Sequence, residues 1–198
     1  MFNLFVYYGH VPAGFLTSYT VPLLKTKDYI SKALECSDFR GIAISNVISK
    51  CFEYCLLTQS SDFLVTRDNQ FGFKKGQGCD YAIYIARNII DSYVGGGGTA
   101  QLCALDVSKA FDKVNLHGLF LKLMKRKVPR YLLELLVNWL PNCSTCVKWK
   151  GERSAYFGLT VGIRQGSVLA PFLFSVYMDD ILTGCVGCRY DEVLLYAD

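Results

Sequence analysis

Gln101 to Phe111 reads QLCALDVSKAF, an apolar run that stops at Asp106 and passes into polar and helix-forming residues. Leu102, Cys103, Ala104 and Leu105 suit a short strand buried on both faces, although the absence of alternation leaves a buried helix open. A carboxylate ending such a run needs a cation or a donor nearby, because an unpaired buried charge is costly. Asp106 therefore has two readings: the cap of a following helix, or a ligand for a divalent metal. The last residues, Val193 to Ala197, form a second strand-like apolar run, and it too ends in a carboxylate, Asp198. Two buried strands that each deliver an aspartate would suit Mg²⁺, which takes a few carboxylate oxygens together with waters and substrate phosphates.

The remaining composition bounds the answer. With 198 residues, 52% hydrophobic and 19% charged, the chain can bury a real core, and a disordered chain is excluded. A formal net charge of +4 permits a nucleic-acid partner without demanding one. Basic residues are denser in two groups, Lys122, Lys125, Arg126, Lys127 and Arg130, then Lys148, Lys150 and Arg153. Each group reads either as a solvated face or as a contact for phosphates. Nine cysteines include two C-x-x-C pairs, Cys143 with Cys146 and Cys185 with Cys188. Their separation is long for a structural zinc site, so no zinc is expected and buried reduced thiols are the default. No signal peptide introduces the chain, which reads as intracellular, nuclear or cytoplasmic. No apolar run approaches the roughly 20 residues a bilayer requires, so no membrane partner is expected.

Along the chain, Val21 to Lys25 reads as a strand leading into a polar loop. Asn46 to Leu57 reads as a helix, because Val47, Ile48, Cys51, Phe52, Cys55 and Leu56 recur at helical spacing. Phe71-Gly72-Phe73 followed by Lys74, Lys75 and Gly76 combines aromatics with positive charge, which suits a nucleic-acid strand and equally an exposed turn. Cys79 to Tyr93 predicts a second helix with Ala82, Ile83, Ala86, Ile89, Ile90 and Tyr93 on one face. Gly95 to Gly98 ends it as a flexible connector, since the Lys and Ser/Thr of a phosphate loop do not follow. Leu116 to Lys127 and Arg130 to Leu140 predict two more helices, the second bounded by Pro129 and Pro141. Cys143 to Trp149 and Ser154 to Thr160 look like strands around a turn at Gly151-Glu152. Pro171 can start a helix that Phe172 to Ile181 continue. Asp179 and Asp180 oppose the dipole at its C-terminus and are expected to be solvated.

LDVSKAFDKV (Leu105 to Val114), GIRQGSVLAPFLFSVYMDDIL (Gly162 to Leu182) and LLYAD (Leu194 to Asp198) stand in the order and spacing of the A, B and C motifs of reverse transcriptases. The chain resembles the non-LTR, LINE-type retrotransposon branch in particular. VPLLK (Val21 to Lys25), FRGIAISNVISKCFE (Phe39 to Glu53) and NQFGFKKGQGCDYAI (Asn69 to Ile83) resemble that branch's fingers motifs, so the likeness covers nearly the whole chain. It implies an α/β (α+β) right-hand polymerase, with fingers and a partial palm and no thumb. Fingers would span 1–100 and the motif A part of the palm 101–127. An insertion with helix and hairpin would span 128–161, and motifs B and truncated C 162–198. Tyr177 to Asp180 spells the YMDD of retroviral enzymes, but it falls within the motif B helix. Motif C should follow as a separate strand hairpin, so Asp198 is the expected ligand in place of Asp179.

The resemblance further implies RNA-directed DNA polymerisation, in which dNTPs are added to a DNA primer's 3′-hydroxyl on an RNA template by two-metal phosphoryl transfer. Two Mg²⁺ ions, with Mn²⁺ as the alternative, would be held by Asp106, Asp198 and the backbone carbonyl of Val107. Lys25 and Arg40 match positions whose cations hold the incoming triphosphate. Phe111 matches the aromatic under the sugar, where a ring collides with a ribose 2′-hydroxyl and offers it no hydrogen bond. Gln165 and Gly166 match the pair that touches the nucleotide and admits the template base pair. Phe71, Lys74 and Lys75 fall where the template would pass. The family's C motif is Y-A-D-D and the chain stops at its first aspartate, so the chain alone is expected to be inactive. Two rivals remain: a non-catalytic nucleic-acid-binding remnant, and an RNA-dependent RNA polymerase, against which Phe111 speaks.

Overall fold

The computed structural model describes residues 1–25, 34–74, 76–181 and 193–196. Two short helices, α1 (Phe2–Tyr8) and α2 (Ala13–Leu16), lead into strand β1 (Thr17–Leu24), which pairs antiparallel with β2 (Phe39–Ser45). Four helices follow: α3 (Val47–Ser60), α4 (Cys79–Gly95), α5 (Leu116–Lys125) and α6 (Arg130–Trp139). The chain then returns as β3 (Ser144–Trp149), parallel to β1, followed by the two-residue strands β4 (Glu152–Arg153) and β5 (Phe157–Gly158). Helix α7 (Ala170–Met178) is the last regular element among the described residues. The sheet runs β2-β1-β3-β4, with β5 also on β3, so the fold is a mixed α/β arrangement, as the sequence predicts.

Local chemistry explains most of the boundaries. The Asn46 side chain accepts from Ile48 N–H at 2.9 Å and the Asn115 side chain accepts from Gly118 N–H at 2.9 Å, each satisfying a free donor in the first turn of α3 and α5. Pro129 precedes α6 and Pro171 sits in the first turn of α7, where a missing N–H does no harm. The core lies between the helices: Phe15, Phe52, Leu119, Leu123, Leu135, Trp139, Leu173 and Phe174 are all buried in one cluster. Phe52 stacks on Trp139 at 5.6 Å between centroids and fixes α3 against α6.

Several expectations are corrected. Leu102 to Leu105 is neither a buried strand nor a buried helix: it is irregular, with Leu102 79% and Leu105 89% exposed. A strand needs ladder partners at its edges, and the run expected beside it pairs elsewhere. Phe71 N–H donates to Leu195 O at 2.8 Å and Leu195 N–H to Asn69 O at 2.9 Å, so the described part of Val193 to Ala197 lies along Asn69–Phe71. The buried side of α3 is Ser49, Phe52, Glu53, Leu56 and Ser60, while Val47, Ile48, Cys51 and Cys55 face outward. Helix α4 starts where expected, runs two residues beyond Tyr93 to Gly95, and buries no residue fully. The hairpin turn is Lys150-Gly151, both at positive φ, and it pairs Trp149 with Glu152; Ser154 to Thr160 holds only the short β5. A two-residue turn with both φ positive matches the twist of the flanking strands.

Both YMDD aspartates are ion-paired, and Asp179 is buried while Asp180 is partly exposed. Asp179 is 7% exposed, binds the Arg126 guanidinium at 2.5 Å and accepts from Arg67 N–H at 2.8 Å. Asp180 pairs with Lys122, whose ammonium also reaches Tyr177 O. Two cations of the first basic group thus clamp α5 to the end of α7, and the unfavourable dipole is offset by direct ion pairs. Removing one partner of such a pair leaves the other charge uncompensated. Asp179→Ala is therefore expected to lower the unfolding free energy by about 3 kcal/mol, read from the urea midpoint. An unchanged midpoint would mean that Asp179 is a spare carboxylate.

Candidate functional site

Three backbone contacts build the site. The turn at 108–114 after the irregular 101–107 segment is tied to the start of the Gly162 stretch: Ile163 N–H donates to Phe111 O at 3.0 Å and Gly162 N–H to Val114 O at 2.9 Å. Farther on, Ala43 N–H at the free edge of β2 donates to Gln165 O at 2.7 Å. Both glycines are required by this contact. A Cβ on Gly162, at φ +84°, would lie 2.8 Å from Asp112 backbone atoms, and one on Gly166, at φ +112°, would lie 2.3 Å from Ala43 O. Gly166 thus permits a close approach to the neighbouring strand of its own chain.

The segments so joined enclose a cavity of about 620 Å³. Lys25 enters from the end of β1, Arg40 from β2, Asp106, Val107 and Phe111 from the motif A segment, and Gln165 from the turn before α7. Phe39, Lys109 and Asp112 also line it; they lie within the quoted motifs but had no role assigned to them there. The Lys25 ammonium donates to Ser37 O at 2.8 Å, and among the described residues no carboxylate pairs with Lys25 or Arg40. Two cations with no carboxylate partner among the described residues, lining the same cavity, are donors of the kind that polyphosphates take. Asp106 is exposed and caps no helix: α5 is capped by Asn115, and the 3₁₀ turn at Phe111–Lys113 has no side-chain cap. Of its two readings, the cap is therefore excluded. The described residues hold no cluster of three metal-ligating side chains, but the Asp106 carboxylate and the Val107 backbone carbonyl are oxygen donors of the hard kind that Mg²⁺ takes.

Phe111 is held rigidly. Its ring stacks on Phe174 of α7 at 4.8 Å and 22° and meets the ring of Phe73 at 6.0 Å, nearly perpendicular. Phe111 is also among the residues that line the cavity. Other expected site residues lie apart from it. Phe71 is 4% exposed and packs edge-on against Tyr81, so its ring is core and is not presented for stacking on a base. The exposed ring of that stretch is Phe73, held at φ +56°. The Lys74 ammonium donates to the Thr66 and Arg67 carbonyls. Lys75 and Asp198 lie outside the described residues, as does the pair Cys185 and Cys188. Cys143 and Cys146 are buried free thiols, and burial pushes the Cys143 thiol up, with Arg164 pulling against that shift and Glu53 adding to it. No helix among the described residues is long and apolar enough to cross a membrane.

Residues 25–198 match the family described as reverse transcriptase (RNA-dependent DNA polymerase). The chain is 26% identical over 180 residues to the Pol polyprotein of the type-2 retrotransposable element R2DM of Drosophila melanogaster, covering 91% of the chain and 17% of that protein. It is 27% identical to the Pol polyprotein of the type-1 element R2 of Nasonia vitripennis, covering all of the chain and 20% of the relative. It is also 27% identical to the RNA-directed DNA polymerase of the mobile element jockey of Drosophila funebris, again over the whole chain and 22% of the relative. The chain thus spans about a fifth of the length of these curated relatives.

The Gly166 contact is directly testable. Gly166→Ala is expected to destabilise the fold by roughly 2 kcal/mol or more in urea unfolding, from left-handed strain and the clash with Ala43 O. Gly158→Ala, with nothing within 4 Å of its added carbon, should change stability by less than about 0.5 kcal/mol. Equal effects of the two would refute the contact.

Proposed function

The chain belongs to the reverse transcriptase family, and from that premise we propose that its large cavity is the nucleotide-binding part of an RNA-directed DNA polymerase site. One observation carries the reading: Lys25, Arg40, Asp106, Val107, Phe111 and Gln165, drawn from four separate stretches of sequence, line a single cavity. Its volume, about 620 Å³, is of the order a nucleotide requires.

Each residue then has a defined task. Lys25 and Arg40 bind the triphosphate, the ammonium as a point charge and the guanidinium as a planar two-point donor. Asp106, the Val107 carbonyl and Asp198 are the proposed holders of Mg²⁺. The bound metal supplies charge neutralisation on the phosphates and activation of the attacking hydroxyl. Gln165, held against β2 through the Ala43 amide, contacts the nucleotide. Phe111, fixed by Phe174 and Phe73, presents an apolar face to the sugar, so a 2′-hydroxyl there would lose its water and gain no partner. The chemistry is positioning and electrostatics, which is why no nucleophilic side chain is needed. The substrates are dNTPs, an RNA template and a DNA primer. Lys74 and Lys75 remain the proposed template side, with the exposed Phe73 taking the place expected of the buried Phe71.

Primer extension by a polymerase in which this chain replaces the matching segment of one of its relatives tests the reading. Templated dNTP addition is expected, with Asp106→Ala lowering the rate by roughly 100- to 1,000-fold or more. Phe111→Val is expected to erode discrimination against ribonucleotides by roughly 10- to 100-fold. Template binding with no synthesis in the unsubstituted chimera would favour the non-catalytic remnant. Unchanged sugar preference in Phe111→Val would remove Phe111 from sugar selection.

A further inference from the structure

Glu53 is a carboxylate placed where carboxylates are rare. It sits on the buried face of α3 between Phe52 and Leu56 and is 1% exposed. Its Oε2 accepts from the Ser167 hydroxyl and from Leu169 N–H at 3.1 Å, the two donors between Gly166 and the start of α7. Glu53 does not line the nucleotide cavity; it grips the far side of the turn whose near side bears Gln165.

The turn is held elsewhere too. Gln165 O accepts from Ala43 N–H, and Arg164 is buried, with Nη2 donating to Phe15 O at 3.2 Å. Glu53 Oε1, Arg164 Nη1 and Trp139 Nε1 have no partner among the described residues. All three residues line one small cavity of about 20 Å³, the size of a single water molecule. One acceptor and two donors thus belong to residues around a mostly apolar space that Ile163, Arg164, Ser167 and Leu169 of the turn also line. In an otherwise apolar core, a charged residue with this arrangement fixes one backbone geometry that an apolar residue could not specify.

We propose that Glu53 is a positioning residue for nucleotide binding: by holding Ser167 and Leu169 it sets residues 164–169 so that Gln165 faces the cavity. The inference rests on the cavity being a nucleotide site, and it assigns a task to a residue that touches no nucleotide. Replacing Glu53 should therefore weaken nucleotide binding only through Gln165, and an amide that retains an acceptor should substitute for the carboxylate.

Two measurements on the 198-residue chain test this: affinity for a fluorescent dNTP analogue with Mg²⁺, and hydrogen exchange at the Ala43 amide. Glu53→Ala and Gln165→Ala are each expected to weaken binding by about tenfold, and the double variant to be no weaker than the weaker single. Glu53→Gln should stay within about twofold of the parent chain, because its carbonyl still accepts both bonds. Ala43 exchange should quicken in Glu53→Ala while the other β1–β2 amides keep their protection. Should Glu53→Ala fail to fold, Ser167→Ala removes a single donor and is expected to quicken Ala43 exchange at an unchanged melting temperature. Additive losses in the double variant, or unchanged affinity and exchange in the folded variants, overturn the proposal. A parent chain that binds no dNTP, with Ala43 exchange still dependent on Glu53, overturns the nucleotide-site reading and leaves the hold on the turn standing.

Discussion

The cavity exists because the backbone of residues 162–166 is pressed against two other stretches at once. Gly162 and Ile163 bond the carbonyls of Val114 and Phe111, while Gln165 O takes the Ala43 amide at the free edge of β2. Neither approach leaves room for a Cβ, so two glycines set the geometry. The consequence is chemical as well as steric. A strand carrying Arg40, an irregular segment carrying Asp106, a turn carrying Phe111 and a loop carrying Gln165 are brought to one space with no side-chain bond between these residues among those described. The polar groups facing that space therefore remain available to a ligand.

Helix packing provides the stiffness behind those contacts. Phe52 on Trp139 joins α3 to α6, and Phe174 joins α7 to Phe111 at the cavity wall. The ion pairs of Asp179 with Arg126 and Asp180 with Lys122 fasten α7 to α5. The tetrad that looks most like a catalytic motif is thus structural, and Asp106, with Asp112 beside it along the cavity, has no ion pair among the described residues.

Much of this was legible in the sequence where one local cause decides the outcome. Asn46, Pro129, Gly95 and Pro171 mark helix ends through capping and proline geometry, and the structure places those ends within a few residues of expectation. The cavity residues were legible through ordered motifs, each of which fixes a position relative to its neighbours. What was hidden depends on partners distant in the chain. Leu102 to Leu105 has the composition of a buried strand, but composition cannot say that Leu195 pairs with Asn69 and Phe71 instead. Val47 and Ile48 fit a helical stripe, yet the side of α3 facing α6 and α7 carries Glu53 and Ser49. That choice is made by the donors of Ser167 and Leu169. Phe71 and Phe73 are indistinguishable by type, and only packing against Tyr81 buries the first and leaves the second exposed.

The central claim is that Lys25 and Arg40, unpaired among the described residues, hold the triphosphate of an incoming dNTP. Isothermal titration of the chain with Mg²⁺·dNTP, compared with the Lys25→Ala/Arg40→Ala double variant, measures it directly. Saturable binding that weakens by about tenfold or more in the double variant, and that inorganic triphosphate competes away, is the predicted result. Equal affinity in the two proteins would contradict the account, as would no binding by the unsubstituted chain.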